Sequence, residues 1–354
     1  MKKDNRFKYV IVGAGFAGLV LAERIANVLG EDVLVIEKEN HIGGACYDEI
    51  DRYGVLIGKY GPHTFHTSDP EVFSYVTQFC EWNNYVHRAL SFVDGKFVHF
   101  PICRKTINEL FGPTENEAQT AEMIEAHKEE ITEKFFVHFT KKQWGCERSE
   151  LDASVISRIP FRNSEDDRYF TDDFQGNPVG GYTKMFSEMT KNKRIKILLN
   201  TDYKEVIDAY DYKLLFYTGP IDYYFDYSLG RLLYRSVKFI FEHHDVESYQ
   251  PVASTRYPGS EYPYTRITEF KKMTGQKIMG TTILKEIPCF GGEPYYPYPT
   301  AKWKKLASEY RKLAENEKKT VFVGRLGEYR YFDMDDVVRR SLDVFESLRK
   351  DLIQ

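Results

Sequence analysis

The sequence predicts an α/β fold in which a parallel-sheet domain is interrupted by a mainly helical insertion and by an antiparallel sheet. The first observation is an apolar run over residues 9–12 that leads into a Gly-x-Gly-x-x-Gly turn and then a helical pattern. The second is another apolar run, residues 33–36, that ends at an acidic residue. The third is a change of composition after about residue 75, first to charged, helix-favouring residues and then, from residue 156, to Tyr, Phe and β-branched residues with turn signals.

The glycine turn after the first strand has the residue pattern of a phosphate-binding turn. Gly13 permits the tight turn, Gly15 lets the backbone approach a pyrophosphate, and Gly18 lets helix and strand pack closely. The N–H groups at the start of the helix would face the phosphates. A glycine turn with only a structural role is the alternative, and the strand on each side argues against it.

The second strand ends at Glu37, 19 residues after Gly18, where its carboxylate can accept hydrogen bonds from a ribose diol. A second glycine pair follows, and together these features resemble the FAD-binding segment of flavoproteins with a glycine-rich second turn. The resemblance implies a Rossmann-like FAD-binding domain whose first cofactor-binding residues are Gly13, Gly15, Phe16, Ala17, Gly18, Glu37, Lys38, Gly43, Gly44 and Ala45.

The changes of composition along the chain predict three domains. Residues 1–75, 187–228 and 310–354 are predicted to form the FAD-binding domain. Residues 76–155 are predicted to form the helical domain, and residues 156–186 and 229–309 the antiparallel sheet that contacts the substrate.

Composition limits the class of protein. The net charge of -4 offers no general attraction for nucleic acid or anionic membranes, so anionic ligands need local arginines. The 5 cysteines lack metal-ligand spacing and the first residues lack a secretion core, so we expect a cytoplasmic protein without a metal site or membrane insertion.

Eight short motifs, in order along the whole chain, resemble bacterial UDP-galactopyranose mutases. They occupy residues 59–67, 142–145, 157–160, 179–182, 217–222, 263–266, 293–297 and 324–334. The resemblance implies an isomerase that interconverts UDP-galactopyranose and its furanose form, which feeds surface polysaccharide synthesis. In this family, N5 of reduced FAD attacks the anomeric carbon, UDP leaves, and the flavin-sugar adduct opens and recloses as the furanose. The flavin therefore replaces a protein nucleophile, and no Ser/His/Asp or Cys/His set is evident in the sequence.

The resemblance also assigns substrate-binding residues. Arg158, on a loop that closes over the phosphates, and Arg266 would hold the diphosphate, assisted by hydroxyl groups of Tyr169, Tyr296 and Tyr331. Charge-assisted contacts of about 1.5 to 3 kcal/mol each would retain UDP during the reaction.

Further substrate contacts are implied for the helical domain. Trp144 would pack against the base, with Phe139 and Thr140 in the same pocket, although a core role for Trp144 is the alternative. Phe139 stands where the family usually has Tyr, which keeps the ring face and removes a hydroxyl.

The flavin ring is expected to meet two further segments. The loop with Gly61, Pro62, His63 and His66 would lie beside the ring, with His66 nearest N5; a hydrogen-bonding role is favoured over a general base or a metal ligand. Pro62 departs from the small residue usual in the family.

Near the C-terminus, the cofactor contacts would include Arg325, which favours an anionic reduced ring. They would also include Asp333 and Met334 at the start of the last helix, and Thr218 completes the set. Asp333 would also contact substrate or cap the helix.

One departure concerns the sugar. His87 stands near where galactose-specific members commonly have Asn, and the change alters volume and hydrogen bonding. We therefore expect galactose, or a modified relative such as an N-acetylated, deoxy or heptose sugar.

Two other functions remain open from the sequence: an FAD-dependent oxidoreductase of the amine-oxidase or desaturase type, and an inactive nucleotide-sugar-binding flavoprotein. The mutase would need NAD(P)H or another reductant, and family members are often homodimers.

Overall fold

The computed structural model describes residues 6–151 and 161–353. Its strands are β1 Arg6–Val12, β2 Val33–Ile36, β3 Asp48–Ile50, β4 Leu56–Gly58, β5 Phe65–Thr67, β6 Ala89–Val93, β7 Lys96–Phe100, β8 Phe174–Gly176, β9 Ile195–Leu198, β10 Asp211–Tyr217, β11 Tyr234–His244, β12 Ser254–Arg256, β13 Arg266–Glu269, β14 Thr281–Cys289, β15 Tyr296–Pro297 and β16 Thr320–Phe322. Its α-helices are α1 Phe16–Arg24, α2 Pro70–Val76, α3 Arg104–Phe111, α4 Glu117–Ala126, α5 Lys128–Thr132, α6 His138–Trp144, α7 Tyr182–Met189, α8 Tyr203–Val206, α9 Ile221–Tyr224, α10 Phe270–Thr274, α11 Ala301–Glu315, α12 Gly324–Gly327 and α13 Met334–Ile353.

A five-stranded parallel sheet forms the first layer, in the order β16-β10-β1-β2-β9. β1 lies at its centre and is buried on both faces, because α1, α7 and α13 cover one face and tyrosine-rich segments around α8 cover the other. A continuous apolar run is what such a central parallel strand requires. The predicted α/β fold with a Rossmann-like domain is confirmed.

A second sheet has seven strands in the order β15-β11-β14-β13-β12-β6-β7. Its neighbouring strands are antiparallel except for β12 and β6. The long pairing of β11 with β14 aligns Phe239 with Glu286, and β13 aligns Arg266 with the same glutamate. This sheet therefore brings charged side chains from distant parts of the chain onto one face.

The hairpin of β6 and β7 lies within residues 76–155, the range predicted to form the helical domain, and its strands belong to the second sheet. Asp94 and Gly95, both with positive φ, form the turn between the two strands. An Asp-Gly pair at such a turn is a strong hairpin signal that the composition of the segment obscured. The helices α3 to α6 follow, and their apolar side chains pack on this hairpin.

Helix α7 begins within residues 156–186, a range predicted to belong to the antiparallel sheet domain. Tyr182, Met185 and Phe186 instead belong to the buried cluster that covers the parallel sheet. The apolar residues at helical spacing explain this position. The domain boundaries themselves stay predictions.

No helix within residues 6–151 and 161–353 is long and apolar enough to cross a membrane. The 5 cysteines are all free thiols.

Candidate active site

The glycine turn lies between β1 and α1, at the carboxyl edge of the parallel sheet. Gly13 has φ +100°, and a Cβ there would lie 2.1 Å from Oγ1 of Thr218, which itself donates to the Val12 carbonyl at 2.8 Å. A Cβ on Gly18 would lie 2.0 Å from the Gly13 carbonyl oxygen, so Gly18 serves close packing of the helix. The turn leaves the backbone N–H groups at the start of α1 directed to the open edge.

Glu37 ends β2 beside this turn. Its carboxylate accepts hydrogen bonds from the backbone N–H groups of Ala14 at 2.7 Å and Glu39 at 2.9 Å. These two bonds fix the carboxylate next to the glycine turn, where it retains lone pairs for a ribose diol. Lys38 pairs with Glu293 at 2.7 Å and so connects the second strand to the segment before β15.

A cavity of about 590 Å³ opens over the turn. It is lined by fourteen of the residues predicted to bind the cofactor, namely Gly13, Gly15, Phe16, Ala17, Glu37, Lys38, Gly43, Gly44, Ala45, His63, Thr218, Arg325, Asp333 and Met334. Sequence reasoning missed further lining residues, among them Thr201, Tyr203, Tyr217, Tyr223 and Tyr227. Tyr217 begins the motif at residues 217–222, whereas only the tyrosine content of the chain pointed to the other tyrosines.

Gly61 and Pro62 do not line this cavity but a smaller neighbouring one, and His63 borders both. His63 Nδ1 lies 3.1 Å from the Gly61 carbonyl oxygen, which can only accept, so that nitrogen carries the proton. Burial, with a contribution from Arg325, lowers the pKa of His63 to about 4. His63 is therefore a neutral imidazole of fixed tautomer at pH 7.

His66, on β5, is held by two neighbours that the sequence did not indicate. Its Nδ1 lies 3.1 Å from Oδ2 of Asp172, and its ring stacks on Phe170 at 3.7 Å between centroids. The carboxylate orients the ring and leaves Nε2 as the nitrogen that can meet a ligand.

Arg325, the second residue of α12, lines the cavity over the glycine turn and reaches towards the second sheet. Its guanidinium donates to the Phe332 carbonyl oxygen and lies 5.3 Å from the ring centre of Tyr296 and 5.2 Å from that of Tyr331. The two tyrosine rings stack on each other at 5.9 Å. Burial raises the pKa of Tyr296 to about 12, so this hydroxyl is a donor at neutral pH.

Arg266 is fixed by a bidentate pair with Glu286 across β13 and β14, with Nη2 at 2.8 Å from Oε1 and Nε on the other oxygen. Glu286 raises the pKa of Arg266 further above its ordinary value, against the effect of burial. About 33% of the Arg266 side chain stays exposed, so it can meet a ligand while its direction is fixed.

His87 and Tyr169 lie together near Arg266. The His87 ring centre is 5.1 Å from that of Tyr169, and its Nδ1 lies 2.9 Å from the Tyr85 hydroxyl. Burial lowers the pKa of His87 to about 3, with Arg266 and His66 as the charges that act on it. A neutral His87 therefore stands in the same cluster as the predicted diphosphate contacts.

Helix α6 carries the three residues predicted for the base. Trp144 is 8% exposed, packs with Leu151 and Tyr298, and lies 6.4 Å from Tyr296 between ring centres. This packing is what the alternative of a core Trp requires, although Tyr296 connects it to the site. Phe139 faces the guanidinium of Arg256, a residue missed by sequence analysis, and Thr140 is half-buried one residue later.

Arg158 and its motif lie outside the described residues. Among the residues that the structure does describe, no group of three His, Cys, Asp or Glu side chains could hold a metal ion.

The glycine turn, the acidic strand end and the cavity over them define this chain as a Rossmann-like dinucleotide-binding protein. A sequence model of NAD(P)-binding Rossmann-like domains matches residues 11–79, and one of UDP-galactopyranose mutases matches residues 134–331. The chain belongs to the UDP-galactopyranose mutase family, and it is accordingly a nucleotide-sugar mutase, an isomerase.

Curated relatives that align with nearly the whole chain support this family assignment. The chain is 37% identical to a probable UDP-galactopyranose mutase of Klebsiella pneumoniae, over 96% of this chain and 94% of that protein. It is 32% identical to the dTDP-fucopyranose mutase of Escherichia coli, over 95% and 97%.

Solved structures show the same fold. A crystal structure of reduced UDP-galactopyranose mutase superposes with a TM-score of 0.74 at 15% identity, over 97% of this chain and 94% of that chain. A putrescine oxidase variant superposes with a TM-score of 0.56 at 11% identity, over 98% and 99%. At such identities these likenesses concern the fold alone.

Proposed function

We propose that this enzyme interconverts the pyranose and furanose forms of a UDP-sugar while it holds reduced FAD. The observation that carries the proposal is the position of Arg325, whose guanidinium borders the cofactor cavity and at the same time contacts Tyr296 and Tyr331. One cation thus lies between the predicted cofactor and substrate contacts, where it can stabilise negative charge on both.

The residues of the cavity fit FAD. Gly13 permits the tight turn, Gly15 leaves room for a pyrophosphate against the backbone, and Glu37 presents a fixed carboxylate for a ribose. The cavity extends to His63 and Arg325. When bound and reduced, FAD would supply the nucleophilic N5 that takes the place of UDP at the anomeric carbon.

The protein's own part is to orient the substrate and retain UDP. Arg266, fixed by Glu286, and the hydroxyl of Tyr296 supply donors for the diphosphate. By resemblance alone, Arg158 adds a second cation. His66, oriented by Asp172, would hydrogen-bond to flavin or sugar through Nε2.

The identity of the sugar is the most specific part of the proposal. Buried, neutral His87 beside Tyr169 and Arg266 supports a site shaped for galactose or for an N-acetylated, deoxy or heptose relative. If UDP-galactopyranose is converted as efficiently as every modified nucleotide sugar in a side-by-side equilibrium assay, His87 does not set specificity.

The test is an anaerobic assay of the purified flavoprotein with UDP-galactose and the modified sugars, read out by chromatography of the furanose product. Turnover is expected only after dithionite or NAD(P)H reduces the flavin, with no net consumption of electrons. Consumption of an electron acceptor would indicate an oxidoreductase, and tight UDP binding without turnover of any sugar an inactive binding protein.

Arg266→Ala and Arg158→Ala are each expected to keep FAD but to lose about a hundredfold in turnover, since one clamp contact is worth about 2.7 kcal/mol. Loss of flavin or of folding in either variant would show that the arginine has a structural role.

The proposal also includes the biological setting. From the resemblance we infer that the furanose product supplies surface polysaccharide synthesis and that the enzyme is a homodimer, and from the composition we infer a cytoplasmic location.

A further inference from the structure

A second arginine stands next to Arg266, and its Nη groups find no partner among the described residues. Arg256, on β12, lies directly opposite Arg266 on β13 and opposite Ser91 on β6. Residues opposite each other in neighbouring strands project from the same face, so all three belong to the sheet face that carries Glu286. Arg256 is 4% exposed.

The guanidinium of Arg256 is enclosed by two aromatic rings. Its carbon lies 3.8 Å from the ring centre of Phe100 and 3.9 Å from that of Phe139. Both planar faces are thus covered, and only the edge of the group remains for hydrogen bonding. Within the described part of the chain, neither Nη1 nor Nη2 finds an acceptor, and the buried hydroxyl of Ser91 also lacks a partner.

Such an arrangement is costly in the ligand-free protein. A buried donor without an acceptor loses its hydration without compensation, and a buried cation loses more. The contrast with Arg266 is direct, because Glu286 neutralises Arg266 whereas no carboxylate among the described residues bonds to Arg256. Burial lowers the pKa of Arg256 to about 10, so the group is still a cation at neutral pH.

We propose that Arg256 is a further substrate-binding residue, whose unpartnered Nη edge takes an oxyanion of the nucleotide sugar, assisted by Ser91. Paired with Arg266 across the strands, it would put two cations on one anionic group, one fixed by a carboxylate and one by aromatic rings. The oxyanion is a phosphate of the diphosphate or an acidic substituent of the sugar. This inference rests on the nucleotide-sugar substrate of the proposed function but not on its ring isomerisation.

The test measures binding to the FAD-loaded protein by calorimetry, with uridine, UMP, UDP, UDP-galactose and UDP-galacturonic acid as ligands. Arg256→Met keeps a chain of similar length between the two rings and removes charge and donors. We expect UDP to bind about ten- to a hundredfold more weakly to this variant and uridine to bind about equally well. If UDP is unaffected and only UDP-galacturonic acid loses affinity, the oxyanion belongs to the sugar.

Two outcomes of the binding measurement would overturn the inference. Equal losses of affinity for uridine and UDP would show that Arg256 contacts the base, and no loss for any ligand would show that it contacts no part of the substrate. The matched control is Arg24→Met, since Arg24 also lies over a ring, that of Tyr75, but has Glu23 as its partner. It should bind every ligand as the parent does.

A second measurement distinguishes substrate binding by Arg256 from a purely structural role. Because the ligand-free protein gains nothing from the unpartnered edge, Arg256→Met should unfold at the same or a higher urea concentration than the parent. A large loss of stability together with unchanged relative affinities would show a structural arginine. Arg256→Lys, which keeps the charge, should fold and recover part of the UDP affinity; failure to do so contradicts the proposal.

Discussion

Replacing Gly13 by Ala tests the glycine turn as the base of the cofactor site. The new Cβ would lie 2.1 Å from Oγ1 of Thr218, so the threonine must rotate and give up its 2.8 Å hydrogen bond to Val12. That loss is worth about 1 kcal/mol. The φ of +100° adds about 1 to 3 kcal/mol for a residue with a side chain. We expect the free energy of unfolding to fall by about 2 to 4 kcal/mol, and bound FAD to be lost.

The two contributions can be separated. Gly54 has φ +85° with no atom within 4 Å of an added Cβ, so Gly54→Ala should show the backbone contribution alone and keep its flavin. In a Thr218→Ala background, Gly13→Ala should cost only this same contribution, because the hydroxyl is gone.

The assay is urea unfolding of all four variants, together with visible flavin absorbance after gel filtration. If Gly13→Ala loses no more stability than Gly54→Ala and shows no coupling to Thr218, the steric reasoning fails. If Gly13→Ala retains its flavin fully, the turn is not where the cofactor's pyrophosphate binds.

Three further predictions concern the second sheet and the site. Glu286→Gln should raise the Kd for UDP about tenfold while FAD stays bound, because Arg266 loses its bidentate partner; calorimetry with an unchanged Kd would contradict this. Nζ of Lys142 lies 2.6 to 3.1 Å from four carbonyl oxygens, of residues 257, 259, 262 and 264, which share its three N–H donors. Lys142→Met should therefore cost about 3 to 4 kcal/mol of unfolding free energy, and an unchanged urea midpoint would refute this. The pKa values of about 3 for His87 and about 4 for His63 lie below the ordinary 6.5, so the unfolded chain binds more protons between these limits and stability falls as pH drops below 6.5. Each histidine contributes at most about 1.4 kcal/mol per pH unit, and His87→Asn should remove about half of the slope in urea titrations at several pH values.

The sequence by itself determined the glycine turn and the acidic strand end of the predicted cofactor site. The strand, the glycine turn and Glu37 are contiguous, and their function depends on backbone conformation and on the end of one strand, which local residue types specify. Most residues predicted for the cofactor accordingly line one cavity. The motifs also placed the chain in its family, which the comparisons confirm.

Only the tertiary structure decided the partners of the site residues. Glu286 pairs with Arg266 because β13 and β14 meet in a register that aligns these two residues on one face of the sheet. Asp172, in the segment before β8, meets His66 because β8 pairs with β5. No local pattern specifies that register. The same holds for Arg256, which has no distinguishing pattern in the sequence. It becomes a buried cation between two rings only when the β6–β7 hairpin joins the sheet next to β12 and α6 packs nearby.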